Sequence, residues 1–275
     1  MIKEALIGNI RRKSSFLCVG LDTYAGDLDF WNTGEKIEWR KVLDFNKKII
    51  DATGEFAVSY KLNAAFYEVL GETGWRAMEE TLLYLGKDFF NIADAKRGDI
   101  GNTSSYYARS FFEKMDFDAV TVAPYMGADS VQPFLAFENK WTILLALTSN
   151  AGSRDFQYLK TENGGFLYEE VLKTSLKWGA TSDKAMFVVG ATQASHLEQI
   201  RKIVPEHFLL VPGVGAQGGD LAAVAQYGMT KDCGLLVNMS RGIIFAEKSE
   251  NFSSAARQAA EKTRNEMAEL LNKYA

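Results

Sequence analysis

The chain has 275 residues, 47% hydrophobic and 24% charged, with a formal net charge of −4 and two cysteines. That balance fits one globular domain over residues 1–275 and excludes a disulfide-stapled module, a low-complexity chain and a transmembrane protein, since no apolar run approaches the ~20 residues a membrane span needs. Interspersed acidic and basic residues also argue against nonspecific nucleic-acid binding, while leaving room for a local basic pocket that receives an anionic small molecule.

The opening MIKEALIGNIRRK sets charges within its apolar pattern, which predicts an amphipathic helix rather than a signal peptide and makes the cytoplasm the expected location. A β-rich run at 16–22 leads through a long connection, 23–37, to a helical pattern at 38–51. Runs at 57–62 and 89–96 flank a second helical stretch, 65–85. The order then repeats: helix 103–114, strand 119–124, helix 130–137, strand 142–148. After the connection 150–164 come helix 166–178, strand 186–192, helix 195–204, strand 208–214, helix 221–227 and strand 234–240. Eight largely apolar strands alternating with amphipathic crossovers predict a parallel sheet closed into a single (β/α)8 TIM barrel. Pro124, Pro133, Pro205 and Pro212 all fall near element ends, as such a segmentation requires. Cys18 and Cys233 lie in or beside strands without a CxxC spacing and are expected to be buried thiols. The N-x-S/T matches at Asn102, Asn238 and Asn251 are read as chance.

Chemistry in a barrel gathers where strands end, and the polar residues of this chain do the same. The hexapeptide Asp94-Ala95-Lys96-Arg97-Gly98-Asp99 ends the third run. Side chains two apart on a strand share a face, so Asp94 and Lys96 project together with Asp99 just beyond. A structural ion-pair network is the plain alternative, yet desolvation often cancels the Coulomb gain of such a triplet, so stability alone explains it poorly. A cation held ready by carboxylates is the preferred reading. Lys61, which by itself reads equally as a solvated strand-end lysine, joins the same rim, as do Asp22, Asn63 and the run Thr148-Ser149-Asn150.

The segment 213–218 matches GxGxxG, but it follows the seventh strand rather than opening a first Rossmann unit, and Asn238 ends the next strand where an NAD-binding acid would stand. A phosphate-cradling loop fits better: glycines let backbone N–H groups approach an anion, Gln217 adds an amide donor, and Arg241 supplies charge-assisted bonds. His196 and His207, on a helix surface and before a strand, are not assigned to catalysis. No HxxxH or paired CxxC supports a transition-metal site, and Lys96 would repel a Mg2+ ion held by Asp94 and Asp99. Trp75, Trp141 and Trp178 are read as packing groups.

Asp94-x-Lys96-x-x-Asp99-Ile100 with Thr103, the preceding Tyr60-Lys61-Leu62-Asn63 and the segment 211–220 together resemble the orotidine 5′-phosphate decarboxylase family, in its longer type 2 branch, along nearly the whole chain. The resemblance implies that Lys61, Asp94, Lys96 and Asp99 form an alternating catalytic charge network, with Lys96 stabilising a carbanion at C6 of the pyrimidine and protonating it. It implies that Asp22 and Asn63 stand on the ribose side or in the charge network, that Gln217 and Arg241 contact phosphate beside Pro212, and that Ser149 meets the pyrimidine. Asp99, Ile100 and Thr103 would enter the neighbouring site of a homodimer. The implied reaction turns orotidine 5′-monophosphate into uridine 5′-monophosphate and CO2 with no cofactor and no metal. A Mg2+-dependent sugar-phosphate decarboxylase on the same scaffold, a Schiff-base aldolase and a noncatalytic nucleotide sensor are the competing readings. The flanking carboxylates count against the aldolase, which needs a neutral lysine.

Overall fold

The structure is a computed structural model and describes residues 1–31, 34–35, 37–162, 164–215 and 218–275. Eight parallel strands close into a barrel in chain order: β1 (Leu17–Gly20), β2 (Ser59–Asn63), β3 (Phe90–Arg97), β4 (Ala119–Val122), β5 (Trp141–Leu147), β6 (Ala185–Val189), β7 (Phe208–Pro212) and β8 (Leu235–Met239). Closure is made by β1 against β8, with Cys18 opposite Asn238. The strands are buried almost throughout because helices cover their outer faces, which is why they read as apolar runs rather than alternating ones.

The first residues of three odd-numbered strands, Phe90, Trp141 and Phe208, meet edge to face with ring centroids 5.8 and 6.4 Å apart. Alternate strands supply each interior layer of such a barrel, so these rings fill its N-terminal end. The Trp141 indole N–H, which burial would otherwise orphan, donates to the Met1 carbonyl at 2.8 Å. With that end packed, the barrel interior opens at the C-terminal ends of its strands.

The expected N-terminal helix is present at Lys3–Lys13. The single helical stretch expected at 65–85 is two helices, Ala64–Glu68 and Glu72–Leu85, parted at Gly71. The helix that completes the eighth unit, Phe252–Tyr274, was not among the expected elements. Its buried face consists of Phe252, Ala256, Ala260, Thr263, Met267 and Leu270 at helical spacing. Alanine and threonine make up half of that stripe, so its hydrophobic periodicity is faint, although the small residues let the helix pack closely on its neighbour Glu38–Thr53. The connection 150–164 contains the short helix Ser153–Phe156. Cys18 and Cys233 are buried free thiols, their pKa values pushed up by burial to about 11 and about 12.

Candidate active site

A cavity of about 320 Å³ opens at the C-terminal ends of the strands. Asp22, Lys61, Asn63, Asp94, Lys96, Ser149, Pro212 and Arg241 all line it, so residues up to 219 positions apart in sequence converge there. Its apolar wall is made by Leu145, Val188, Leu210 and Met239 from β5 to β8. Mixed lining of this kind, apolar with a few convergent polar groups, is what an enclosed small-molecule site requires.

The charged wall is built from the strand register. Lys61 on β2 stands opposite Gly20 and Ile92, and its Nζ donates to Asp22 Oδ1 at 3.2 Å and to Asp94 Oδ2 at 3.0 Å. Asp94 faces Asn63 across the β2–β3 ladder. Its other oxygen, Oδ1, accepts from Lys96 Nζ at 2.6 Å and from the Thr121 hydroxyl at 3.0 Å. Burial works against charge on both Lys61 and Asp94. The opposite charges outweigh it: Asp94 and Asp22 hold the Lys61 ammonium above the ordinary lysine range, and Lys61 and Lys96 hold the Asp94 carboxyl well below the ordinary carboxylate range. The Lys61 side chain is only 5% exposed, whereas that of Lys96 is 50% exposed toward the opening. Lys61 is therefore the buried member that fixes the string, and Lys96 is the ammonium available to a bound molecule.

The end of β3 is irregular. Ala93 pairs with Val120 and Arg97 with Val122, so Asp94, Ala95 and Lys96 together oppose Thr121. Such a bulge re-aims side chains at a sheet rim. Lys96 takes a left-handed backbone conformation with φ of +46°, which costs a β-carbon-bearing residue about 1–2 kcal/mol. The alternation read from sequence placed Asp94 and Lys96 on one face; their side chains do meet, but through this bulge.

On the opposite wall, Ser149 follows β5 and sits against Gly190 at the end of β6. A β-carbon at 190 would stand 2.6 Å from Ser149 Cβ, so glycine there is what admits the Ser149 corner. Thr148 is held by Gln157, whose Oε1 accepts the Thr148 N–H at 2.7 Å and whose Nε2 donates to the Thr148 hydroxyl at 2.9 Å. The loop after β7 turns through Gly213, Gly215 and Gly218, all at positive φ, closing with Gly218 N–H to the Gly215 carbonyl at 2.9 Å. Arg241 opens the short helix Arg241–Ile244 directly after β8 and faces the same cavity. Gln217, expected as its partner, lies outside the described residues.

Three expected residues do not line the cavity. Asp99 accepts the Ile100 N–H on its own Oδ1 at 2.8 Å, Ile100 is 57% exposed, and Thr103 is exposed at the start of the helix Gly101–Arg109. The apolar wall was not foreseen, nor were Thr121 and Asn238. Thr121 is the lone polar position in the apolar run Ala119–Val122, one step from the rim, and that break in pattern was its signal. Asn238 lines the cavity while its Nδ2 donates to the Cys18 carbonyl at 3.2 Å, stitching β8 to β1. His207 is buried with Nε2 at 2.9 Å from the Ala180 carbonyl, and His196 sits between Tyr158 and Tyr168; neither lines the cavity. Among the described residues no group of three or more His, Cys, Asp and Glu side chains is arranged to hold a metal ion.

Barrel and site together define a (β/α)8 protein whose strand ends set a lysine–carboxylate string across a small cavity from a glycine loop and an arginine. Within that class, the chain belongs to the orotidine 5′-phosphate decarboxylase / HUMPS family, whose model matches residues 15–258. A Bacteroides fragilis protein named orotidine 5′-phosphate decarboxylase is 56% identical over 276 residues, covering 98% of each chain. A Christiangramia forsetii protein of the same name is 56% identical, covering 99% of this chain and 100% of its own. The solved structure of Leishmania donovani OMP decarboxylase superposes with a TM-score of 0.81 at 34% identity, covering 98% of this chain and 99% of that one.

Proposed function

We propose that the chain, acting as one catalytic domain over residues 1–275, decarboxylates orotidine 5′-monophosphate to uridine 5′-monophosphate, the last step of de novo UMP biosynthesis, with no cofactor. The observation that carries this reading is the string Asp22–Lys61–Asp94–Lys96 on the cavity wall, ending in a half-exposed ammonium. Breaking the C6–CO2 bond leaves its electron pair at C6, so the enzyme must stabilise charge absent from the bound substrate. The Lys96 ammonium meets that charge and then delivers a proton to C6. Asp94, already ionised, orients Lys96 and repels the substrate carboxylate. At ~4 Å and an effective dielectric of ~20 that repulsion is about 4 kcal/mol, roughly a thousandfold in rate if wholly relieved. Preorganised charge carries the rest.

Arg241 and Gln217 take the phosphate, Pro212 and the loop after β7 shape that end, Asp22 and Asn63 stand by the ribose, and Ser149 meets the base. Binding of the remote phosphate is spent on alignment at C6. Asp99, Ile100 and Thr103 act in the site of a second copy, forming a homodimer. Support comes from the exposed apolar side chains Ile100, Tyr106, Tyr125, Met126 and Phe156 on the three consecutive segments after β3, β4 and β5. The cytoplasm is the proposed location; among the described residues no helix is long and apolar enough to cross a membrane.

The test is an ultraviolet assay of purified protein with orotidine 5′-monophosphate and with 3-keto sugar phosphates, each with and without EDTA. Loss of orotidine monophosphate with stoichiometric CO2, unchanged by chelator, is expected. Metal-dependent turnover of the sugar phosphate alone, or tight nucleotide binding without CO2 release, would overturn the proposal.

A further inference from the structure

We propose that Thr121 is a positioning residue for the decarboxylation, holding Lys96 and Asp94 in register through a single hydroxyl. The assignment rests on the decarboxylase reading above and extends it to a residue that does not line the cavity.

The geometry begins with the bulge. Because Asp94, Ala95 and Lys96 oppose Thr121 alone, Lys96 falls between the paired positions of the ladder. Its N–H donates to Thr121 Oγ1 at 2.9 Å. The same hydroxyl spends its own hydrogen on Asp94 Oδ1 at 3.0 Å, the oxygen that also receives Lys96 Nζ at 2.6 Å. One atom therefore satisfies the backbone of Lys96 and braces the carboxylate that orients its side chain. Only a group that both donates and accepts can do this, and Thr121 is 1% exposed, so water does not replace it readily. Serine retains the function, and valine of nearly equal shape removes it.

The left-handed backbone at Lys96 sharpens the requirement, because a disfavoured conformation persists only where its surroundings over-determine it. A second brace is in place one residue on. Arg97 Nη1 donates to the Ala95 carbonyl at 2.8 Å, Nη2 pairs with Glu68, and the Arg97 carbonyl accepts the Ala123 N–H at 2.8 Å. These contacts fix the bulge from outside the barrel. Thr121 fixes it from within, at the two residues that meet the substrate.

The experiment compares Thr121→Val and Thr121→Ser with the parent enzyme in kcat, KM and affinity for uridine 5′-monophosphate. Loss of alignment of about 1 Å is worth about a hundredfold in rate, so Thr121→Val is expected to lower kcat by about that factor, with product affinity changed less than about threefold. Thr121→Ser is expected to restore kcat to within about threefold. The charged groups around Asp94 are Lys61 on β2, Lys96 on β3 and, beyond Lys61, Asp22. All three stay in place in both variants, so the change in kcat reads the Thr121 hydroxyl alone.

Parent-like kcat in Thr121→Val, an equal loss in Thr121→Ser, or a loss shared with product affinity would overturn the assignment. Should the valine variant fail to fold, Thr121→Ala lacks the same hydroxyl and gives the same comparison. A parent enzyme that releases no CO2 refutes the decarboxylase reading itself; an active parent with an unaffected valine variant refutes only the role of Thr121.

Discussion

Replacing Lys61 by methionine removes the buried ammonium while keeping most of its volume. At 3.0 Å from Asp94 and 3.2 Å from Asp22, each pairing is worth roughly 5 kcal/mol at an effective dielectric of ~20, before the desolvation of the three ions is set against it. Its removal takes one of the two lysine partners of Asp94 and the lysine partner of Asp22, at a net cost of about 3–5 kcal/mol, the range for breaking a buried ion pair. For a chain of this size that lowers Tm by roughly 10 °C at pH 7. The pH dependence follows from the depressed pKa of Asp94: its stabilisation is complete above the unfolded carboxylate value of ~3.9 and is lost as pH falls through the folded value. Without Lys61 the depression shrinks, so the variant takes up its proton at higher pH and the gap to the parent protein narrows on acidification. Thermal scans of both proteins at pH 7 and pH 4 read this directly. A Tm within about 2 °C of the parent at pH 7, or a gap that widens toward pH 4, would refute the reasoning.

Arg241→Ala is expected to raise KM for orotidine 5′-monophosphate and to weaken uridine 5′-monophosphate binding by about 10–100-fold, the worth of a charge-assisted hydrogen bond, while leaving the affinity for uridine unchanged. Titration calorimetry with the nucleotide and the nucleoside checks both halves. If Asp99 serves the neighbouring site, mixing inactive Asp99→Ala and Lys96→Ala proteins under exchanging conditions restores up to about one quarter of parent activity: half of randomly mixed dimers are hybrids, and each hybrid holds one intact site of two. No recovery after verified subunit exchange would place Asp99 in its own chain's chemistry.

The barrel was legible because its strands are covered on both sides, so each reads as a compact apolar run ended by a polar group. The last helix was not: a face built on Ala256, Ala260 and Thr263 packs well but barely registers as hydrophobic. Asp22, Lys61, Asp94 and Lys96 were legible as a set because charges at buried strand ends have few reasons to exist. The detail of their contact was not, since strict alternation along β3 does not foretell a bulge or the left-handed turn at Lys96. Thr121 escaped notice for a related reason: a lone threonine in a strand is ordinary until the register shows which N–H it must receive. Asp99 was named from the charge triplet as well as from family resemblance, Ile100 and Thr103 from resemblance alone, and within one chain all three stand outside the cavity.

The role of Lys96 is tested by the Lys96→Ala variant, assayed for turnover of orotidine 5′-monophosphate and for binding of uridine 5′-monophosphate on the same preparation. Loss of both the charge facing C6 and the proton it delivers predicts a fall in kcat of about ten-thousandfold or more, with product affinity retained within about tenfold. Turnover close to that of the parent enzyme would contradict it.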